Sequence, residues 1–433
     1  MTPQSSFLYA APIQPDRKAD LRILLSSMNH VPGVVDLRNP LIPFAKFENL
    51  HFARLLIVSD LAAADRTVYK LPLTGLPDYL VLMGEIDGEE EAFRHELLRQ
   101  AKDGVARLFS HCAGFIPGSD LANFLEQSSV QSAANYVNWI GRTVKQEREE
   151  RALRDTLVAF TDTNGSALRE LPPQQMWDSI KTFVRQERQS GRLTLTPLSS
   201  MPRGWRLRNF LHLISVPIVL LLLAPLLLLY IPVFLLQLRH REKTDPTVAP
   251  PLTPEHAAEL ESIENYDCTN QFSVFGSLKP GISRIWSMRF FLWITGYAAQ
   301  HIFNRGNLAR VQTIHFARWV PFDGGKRMLF SSIYDGSLES YMDDFINKVG
   351  FGLNVTFSNG IGYPRTRWLI FDGCHDEQTF KKVLRRHQLP TEVWYSANPG
   401  LTAANKQRNS LIRAGVDAIS MDDDEILAWA ALI

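Results

Sequence analysis

Between Phe210 and Leu238 the chain reads FLHLISVPIVLLLLAPLLLLYIPVFLLQL, without one Asp, Glu, Lys or Arg. About 20 such residues suffice to cross the hydrocarbon core of a bilayer. A helix buried in a soluble core is normally shorter and carries a polar stripe. The segment therefore reads as a membrane segment and the chain as membrane-associated. Arg203, Arg206 and Arg208 precede it, and Arg239, Arg241 and Lys243 follow, so positive charge selects neither side. Pro217, Pro225 and Pro232 each remove a backbone donor and favour a kink. They predict a bent, re-entrant segment, a shallow hairpin with both ends on one side of the bilayer, as the alternative to a straight span. A second apolar stretch, Ile285 to Phe303, is rich in Trp and Phe and flanked by Arg284 and Arg305. It reads as a helix lying in the membrane interface or as a core helix under the sheet that follows.

The rest of the chain has the composition of a globular protein. Its 433 residues allow two or three domains, with 45% hydrophobic and 21% charged residues. Lys plus Arg number 46 against 45 acids, which removes the electrostatic case for a nucleic-acid partner. Cys112, Cys268 and Cys374 are far apart and in no metal-ligand spacing, so neither a disulfide framework nor a metal site is expected. Met1 to Arg22 lacks the apolar core of a secretory signal, which places the globular parts on the cytoplasmic side.

Self-similarity organises those globular parts. His51-Phe52-Ala53-Arg54 recurs as His315-Phe316-Ala317-Arg318. Each copy opens a strand, and each is followed by a second strand ending in Asp-Gly, at Asp87-Gly88 and Asp335-Gly336, before an amphipathic helix. After the second helix, Arg367 to Asp372 reads as a strand, Glu377 to Gln388 as a helix and Thr391 to Ala397 as a strand. The first copy continues through a strand at Tyr136 to Ile140, a helix at Lys145 to Phe160 and a strand at Arg192 to Pro197, with an extra helix at Gln174 to Gln189. Strand 314 to 320 is largely apolar on both faces, so a second sheet is expected to cover the face that helices do not. The expected divisions are an N-terminal extension (1–48), a first repeat with a helical insertion (49–200), the membrane segment with basic flanks (205–243), a linker with the aromatic helix (244–310), a second repeat (311–400) and a helical tail (401–433).

The order of the HFAR strand, Asp-Gly turn, helix and closing βαβ resembles the ferredoxin-like units of the dimeric α/β-barrel superfamily. The resemblance implies an α+β fold in which two such repeats, antiparallel sheets with helices outside, pack as one pseudo-symmetric α/β barrel. Gly84-Glu85-Ile86-Asp87-Gly88 also matches the GxxDG pattern of dye-decolourising peroxidases, a haem-dependent branch of that superfamily, where the Asp acts on peroxide. A turn that ends a strand explains Asp-Gly without chemistry.

For function, His51 and His315 are the candidates for a general base, or for an iron ligand if haem is bound. Alternation along the strand places Arg54 and Arg318 on the opposite face from these histidines. Tyr334, Tyr363, Arg365 and Arg367 are the other candidate ligand-binding residues, the last three flanking an ordered loop suited to an anionic group. No nucleotide-binding or common hydrolase motif occurs. The expectation is a membrane-anchored protein that binds a lipid or apolar small molecule. The alternatives are a haem-dependent peroxidase or oxygenase-like enzyme acting on a membrane-derived substrate, and a membrane scaffold without catalysis.

Overall fold

The computed structural model describes residues 2–61, 63–72, 75–198, 200–248 and 251–433. The chain is a mixed α+β protein built on two four-stranded antiparallel sheets. It opens with strand β1 (Gln4–Pro12), helix α1 (Lys18–Ser26) and a small hairpin, β2 (Asn29–Val31) with β3 (Val34–Val35). Strand β4 (Leu50–Val58), short helix α2 (Ala63–Val68), strand β5 (Tyr79–Asp87), helices α3 (Glu90–Phe109) and α4 (Leu121–Gln127) and strand β6 (Ala134–Val137) follow. Helices α5 (Val144–Arg169), α6 (Pro173–Gln189), α7 (Arg203–Thr244) and α8 (Pro254–Glu261) come next. Then come β7 (Thr269–Ser277), α9 (Ile282–His301), β8 (Ile314–Phe322), β9 (Arg327–Asp335) and α10 (Leu338–Phe357). The chain closes with a hairpin of β10 (Thr366–Arg367) and β11 (Phe371–Asp372), then α11 (Glu377–His387), β12 (Thr391–Ser396), α12 (Ala403–Asp417) and α13 (Asp423–Ala430).

The strand orders are β1-β5-β4-β12 and β7-β9-β8-β6. Each sheet thus takes its fourth strand from the other half of the chain. The sheets face each other, with Leu8, Leu56, Val81 and Met83 of one packed on Phe275, Val320, Phe322 and Leu329 of the other. Helices α1 and α3 cover the outer face of the first sheet; α9 and α10 cover that of the second. Helices α5, α6, α12 and α13 form a separate apolar cluster around Leu157, Trp177, Ile412 and Trp429. The sheets remain two open layers, and no closed barrel forms among the described residues.

Several elements of the two layers match in length and geometry. Strands β4 and β8 are nine residues each, as are β5 and β9. Helices α3 and α10 are both 20 residues long and leave helical geometry at the same step, Ala101 and Val349. Two strands fall outside the expected repeats: β1 lies in the expected extension and β7 in the expected linker. The Arg192 to Pro197 stretch forms no strand, and Arg367 to Asp372 folds into the two-residue strands β10 and β11 instead of one.

Both HFAR motifs sit at a β-bulge. Register shifts between Leu50 and Phe52, and again between Ile314 and Phe316. A bulge adds one unpaired residue and cancels the alternation that precedes it. Ile314 therefore joins Ala317 and Trp319 in the core under the helices, while His315 and Phe316 turn toward the space between the sheets. Histidine and arginine of each motif consequently reach the same inter-sheet layer, against the expectation from strict alternation. The arginines cross that layer. Arg54 donates to the carbonyls of Phe272 (3.2 Å) and Ser332 (3.2 Å) and to Ser273 Oγ (2.9 Å). Arg318 donates to the carbonyls of Phe7 (2.9 Å) and Gly84 (3.4 Å) and to Glu85 Oε1 (2.7 Å). Phe7 and Phe272, and likewise Gly84 and Ser332, occupy matching register positions, so each arginine reads the same two carbonyls of the opposite sheet. A Cβ at Gly84 would lie 2.5 Å from the Phe52 carbonyl, which accounts for the first glycine of the GxxDG match by packing alone.

Candidate functional site

Two places collect the residues of interest. The first is a buried ionic network where the sheets end. Asp87 accepts from Val144 N at the start of α5 (2.9 Å) and meets His51 Nε2 at 3.0 Å. Asp335 accepts from Ala403 N at the start of α12 (2.7 Å) and meets His315 Nε2 at 2.7 Å. The two sequence motifs that recur, the HFAR histidine and the Asp-Gly aspartate, are therefore the two halves of one contact that caps a returning helix. Thr143 and Thr402 cap the same helices through Gln146 N and Asn405 N, each two residues after a glycine with positive φ, Gly141 (96°) and Gly400 (76°). That paired Gly-x-Thr was readable in the sequence and extends the correspondence through both closing helices.

Counting from these caps, Glu147 of α5 and Lys406 of α12 hold equivalent positions, and they pair with each other at 2.8 Å. Asn398 donates to Glu147 at 2.8 Å and His51 Nδ1 lies 3.7 Å from it. Burial would push the Glu147 carboxyl up, but Lys406 and His51 hold it well below the usual carboxylate range. Lys406→Met leaves Glu147 buried with a weaker partner, and removing one member of a buried pair typically costs ~3–5 kcal/mol. The expected result is a lower thermal midpoint in mild detergent, with the cooperative transition retained.

Burial alone would lower the pKa of His51, but Asp87 and then Glu147 outweigh it and raise the group to about 9. A folded-state value above the unfolded value of ~6.5 stabilises the protein fully below that pH and loses the contribution as pH rises through the folded pKa. Thermal stability is expected to fall between about pH 6.5 and 9, with a shallower slope in His51→Gln.

This network has no room for a prosthetic group. His51 and His315 border a cavity of about 20 Å³, enough for about one water molecule. Their Nε2 atoms are held by Asp87 and Asp335. A haem fits neither histidine. No group of three or more His, Cys, Asp or Glu suited to a metal ion occurs among the described residues.

The other candidates are dispersed. Tyr334 is buried and stacks on Tyr341 at 4.0 Å between ring centroids. Tyr363 is buried, its hydroxyl donating to Asn354 Oδ1 at 2.8 Å. Arg367 pairs with Asp372 in the exposed hairpin of β10 and β11. Of the loop residues proposed for anion binding, Tyr363 lines a small apolar pocket under β7, and Arg365 reaches a charged cleft, donating to the Asp245 carbonyl at 2.7 Å beside the end of α7.

The second place is α7 itself. Its 42 residues form one continuous helix through all three prolines, about 63 Å at 1.5 Å per residue. The hairpin expected from those prolines does not form. Within its apolar window the helix buries none of its residues, and Leu221, Leu222, Leu229 and Leu236 are each more than 70% exposed. The helix is long and apolar enough to cross a membrane. Both its ends are tied to α9. At one end Gln300 donates to Asn209 (2.7 Å), His212 meets His301 (2.8 Å) and Tyr297 donates to the Leu213 carbonyl (3.1 Å). At the other, Arg241 donates to Ser283 and Phe234 packs edge-on against Phe291. Helix α9 in turn presses Met288, Leu292 and Ala299 into the core of the second sheet. The aromatic stretch is thus a core helix on one face and the seat of α7 on another. Between them α7 and α9 leave a groove of about 930 Å³ walled by Tyr230, Phe234, Trp286, Phe290 and Phe291.

Comparison with family models, with curated proteins and with solved structures finds no match to the chain.

Proposed function

We infer that this is a membrane-associated binding protein whose two-sheet body rides on one side of a bilayer with α7 lying along the interface, and that it holds a lipid or apolar small molecule there. The observation that carries this reading is the pairing of an apolar helix that buries no residue of its central window with attachment of both its ends to one globular body. A straight crossing would send the flanks of α7 to opposite sides of the bilayer. Here both flanks touch α9, which is packed on the second sheet. An exposed apolar surface of this size marks a membrane or partner interface. In the same reading the body is a duplicated ferredoxin-like unit of the dimeric α/β-barrel type, with fourth strands exchanged between the copies. The matched kinks of α3 and α10, the matched bulges and the reciprocal arginines support it. The exchange and the shared Glu147–Lys406 pair support a reading in which both copies lie on the same side.

The test is flotation of the full-length protein with phosphatidylcholine vesicles at low and high salt. The expected result is co-flotation that survives high salt, since burial of apolar surface is not screened. A monodisperse protein that stays with the aqueous fraction at both salts contradicts the reading.

A further inference from the structure

We propose that the α7–α9 groove takes an anionic phospholipid from the surrounding bilayer, an acyl chain along the aromatic wall and the phosphate against Arg241 and Arg365. This rests on the membrane reading above and names the ligand of that face. The groove adjoins a cleft lined by both apolar and charged residues, with which it shares Phe234, Arg241, Ser287 and Phe291. Four cations line that cleft, Arg241, Lys279, Arg284 and Arg365. Its two carboxylates are already committed. Asp245 accepts from Arg284 and lies 3.4 Å from Lys279. Glu242 accepts from Thr366 Oγ1 (2.9 Å), Leu369 N (3.1 Å) and Arg239 (3.0 Å). Arg241 and Arg365 have no carboxylate at ion-pair distance among the described residues; the first donates to the Ser283 hydroxyl and the second to a backbone carbonyl. The cleft thus carries an excess of positive charge with donors to spare.

The start of α9 adds to it. Gly281, the N-cap of α9, lines the groove and provides no side-chain cap, so the positive end of a 20-residue helix faces the same place. A free phosphate or soluble anion would use only the cleft. The adjoining groove, near the upper end of the ~300–1,000 Å³ typical of ligand pockets, asks for a chain attached to the anion. Tyr230, Ile231, Ile282 and Trp286 of its walls are exposed, so the groove opens at the apolar surface and a lipid enters sideways from the bilayer. An apolar channel ending in unpaired cations has the polarity of that lipid and the reverse of a neutral or cationic one.

The experiment compares flotation of the full-length protein with vesicles of phosphatidylcholine alone and of phosphatidylcholine containing phosphatidylglycerol. Three proteins are run beside the wild type: the Arg241→Glu/Arg365→Glu double variant, Arg365→Glu alone, and a control, Arg99→Glu/Lys102→Glu, on the exposed face of α3. The wild type is expected to prefer the anionic vesicles and to carry phosphatidylglycerol in native mass spectra. The double variant should lose that preference by about thirtyfold, from ~1 kcal/mol for each cation near an anionic surface, while binding to phosphatidylcholine is unchanged. Arg365 is exposed, so its single variant folds and should show the smaller loss even if the double variant does not. Equal binding of the wild type to both vesicles overturns the lipid assignment and leaves the membrane reading standing; no binding to either overturns both. A preference kept by the double variant, or lost equally in the control, overturns the site.

Discussion

Glutamate at Leu221, Leu222 and Leu229 together is expected to move the protein from the vesicle-bound to the aqueous fraction. These side chains are 72–75% exposed, so the substitutions remove no packing and the folded body should melt as before. A charged residue in place of leucine costs roughly 3 kcal/mol at the centre of a spanning helix. A helix at interfacial depth pays less, but even ~1 kcal/mol per site shifts partitioning about a hundredfold. Flotation with phosphatidylcholine vesicles reads the change. Undiminished binding would mean that some other surface holds the bilayer and that the exposed leucines of α7 await a protein partner.

The second large effect lies between the sheets. Arg318→Met is expected to destabilise the protein by about 3–5 kcal/mol, because it strands Glu85 without its charge partner. Arg318 and Glu85 are 1% and 3% exposed, and the arginine also serves two carbonyls of the opposite sheet. Burial lowers the pKa of Arg318 while Glu85 opposes the shift, so the guanidinium depends on that carboxylate. Pairing Arg318→Met with Glu85→Leu should recover part of the loss, since replacing both members of a buried pair by apolar groups is far less costly than removing one. Denaturant midpoints of the two single variants and the double variant measure it. If Arg318→Met melts like the wild type, the reciprocal arginines are not what joins the layers.

Much of this arrangement was written locally. The Phe210 to Leu238 run, the two HFAR strands, the two Asp-Gly turns and the helices after them are contiguous signals of charge and periodicity, and all stand in the structure. What stayed hidden depends on contacts distant in sequence. Strand exchange pairs β12 with β4, more than 300 residues apart, and nothing within Thr391 to Ser396 marks which sheet it joins. The bulges at His51 and His315 invert the alternation that assigned Arg54 and Arg318 to the opposite face. Strands β1 and β7 escaped because neither carries a motif; β1 reads QSSFLYAAP and β7 TNQFSVFGS, alike only in the phenylalanine at the fourth position. At the site, the histidines were legible as a pair but not as partners of the capping aspartates, since Asp87 and Asp335 are at the ends of other strands. Arg241 appeared only as a flank of the apolar run, because its proposed role depends on Arg365, Arg284 and Lys279, brought to it by two separate segments. The prolines misled for a different reason. Each disfavours a helix locally, yet the structure absorbs all three within a single helix.

The claim on which the rest depends is that both ends of α7 lie on one side of the membrane. Single cysteines at Arg206 and Arg239, with Cys268 changed to serine and the buried Cys112 and Cys374 left in place, report it directly. The protein is bound to preformed sealed vesicles and treated with a membrane-impermeant maleimide from outside. Equal and complete labelling at both positions is the predicted result. Labelling at one position with protection of the other until detergent is added would show a crossing helix, and would contradict the account.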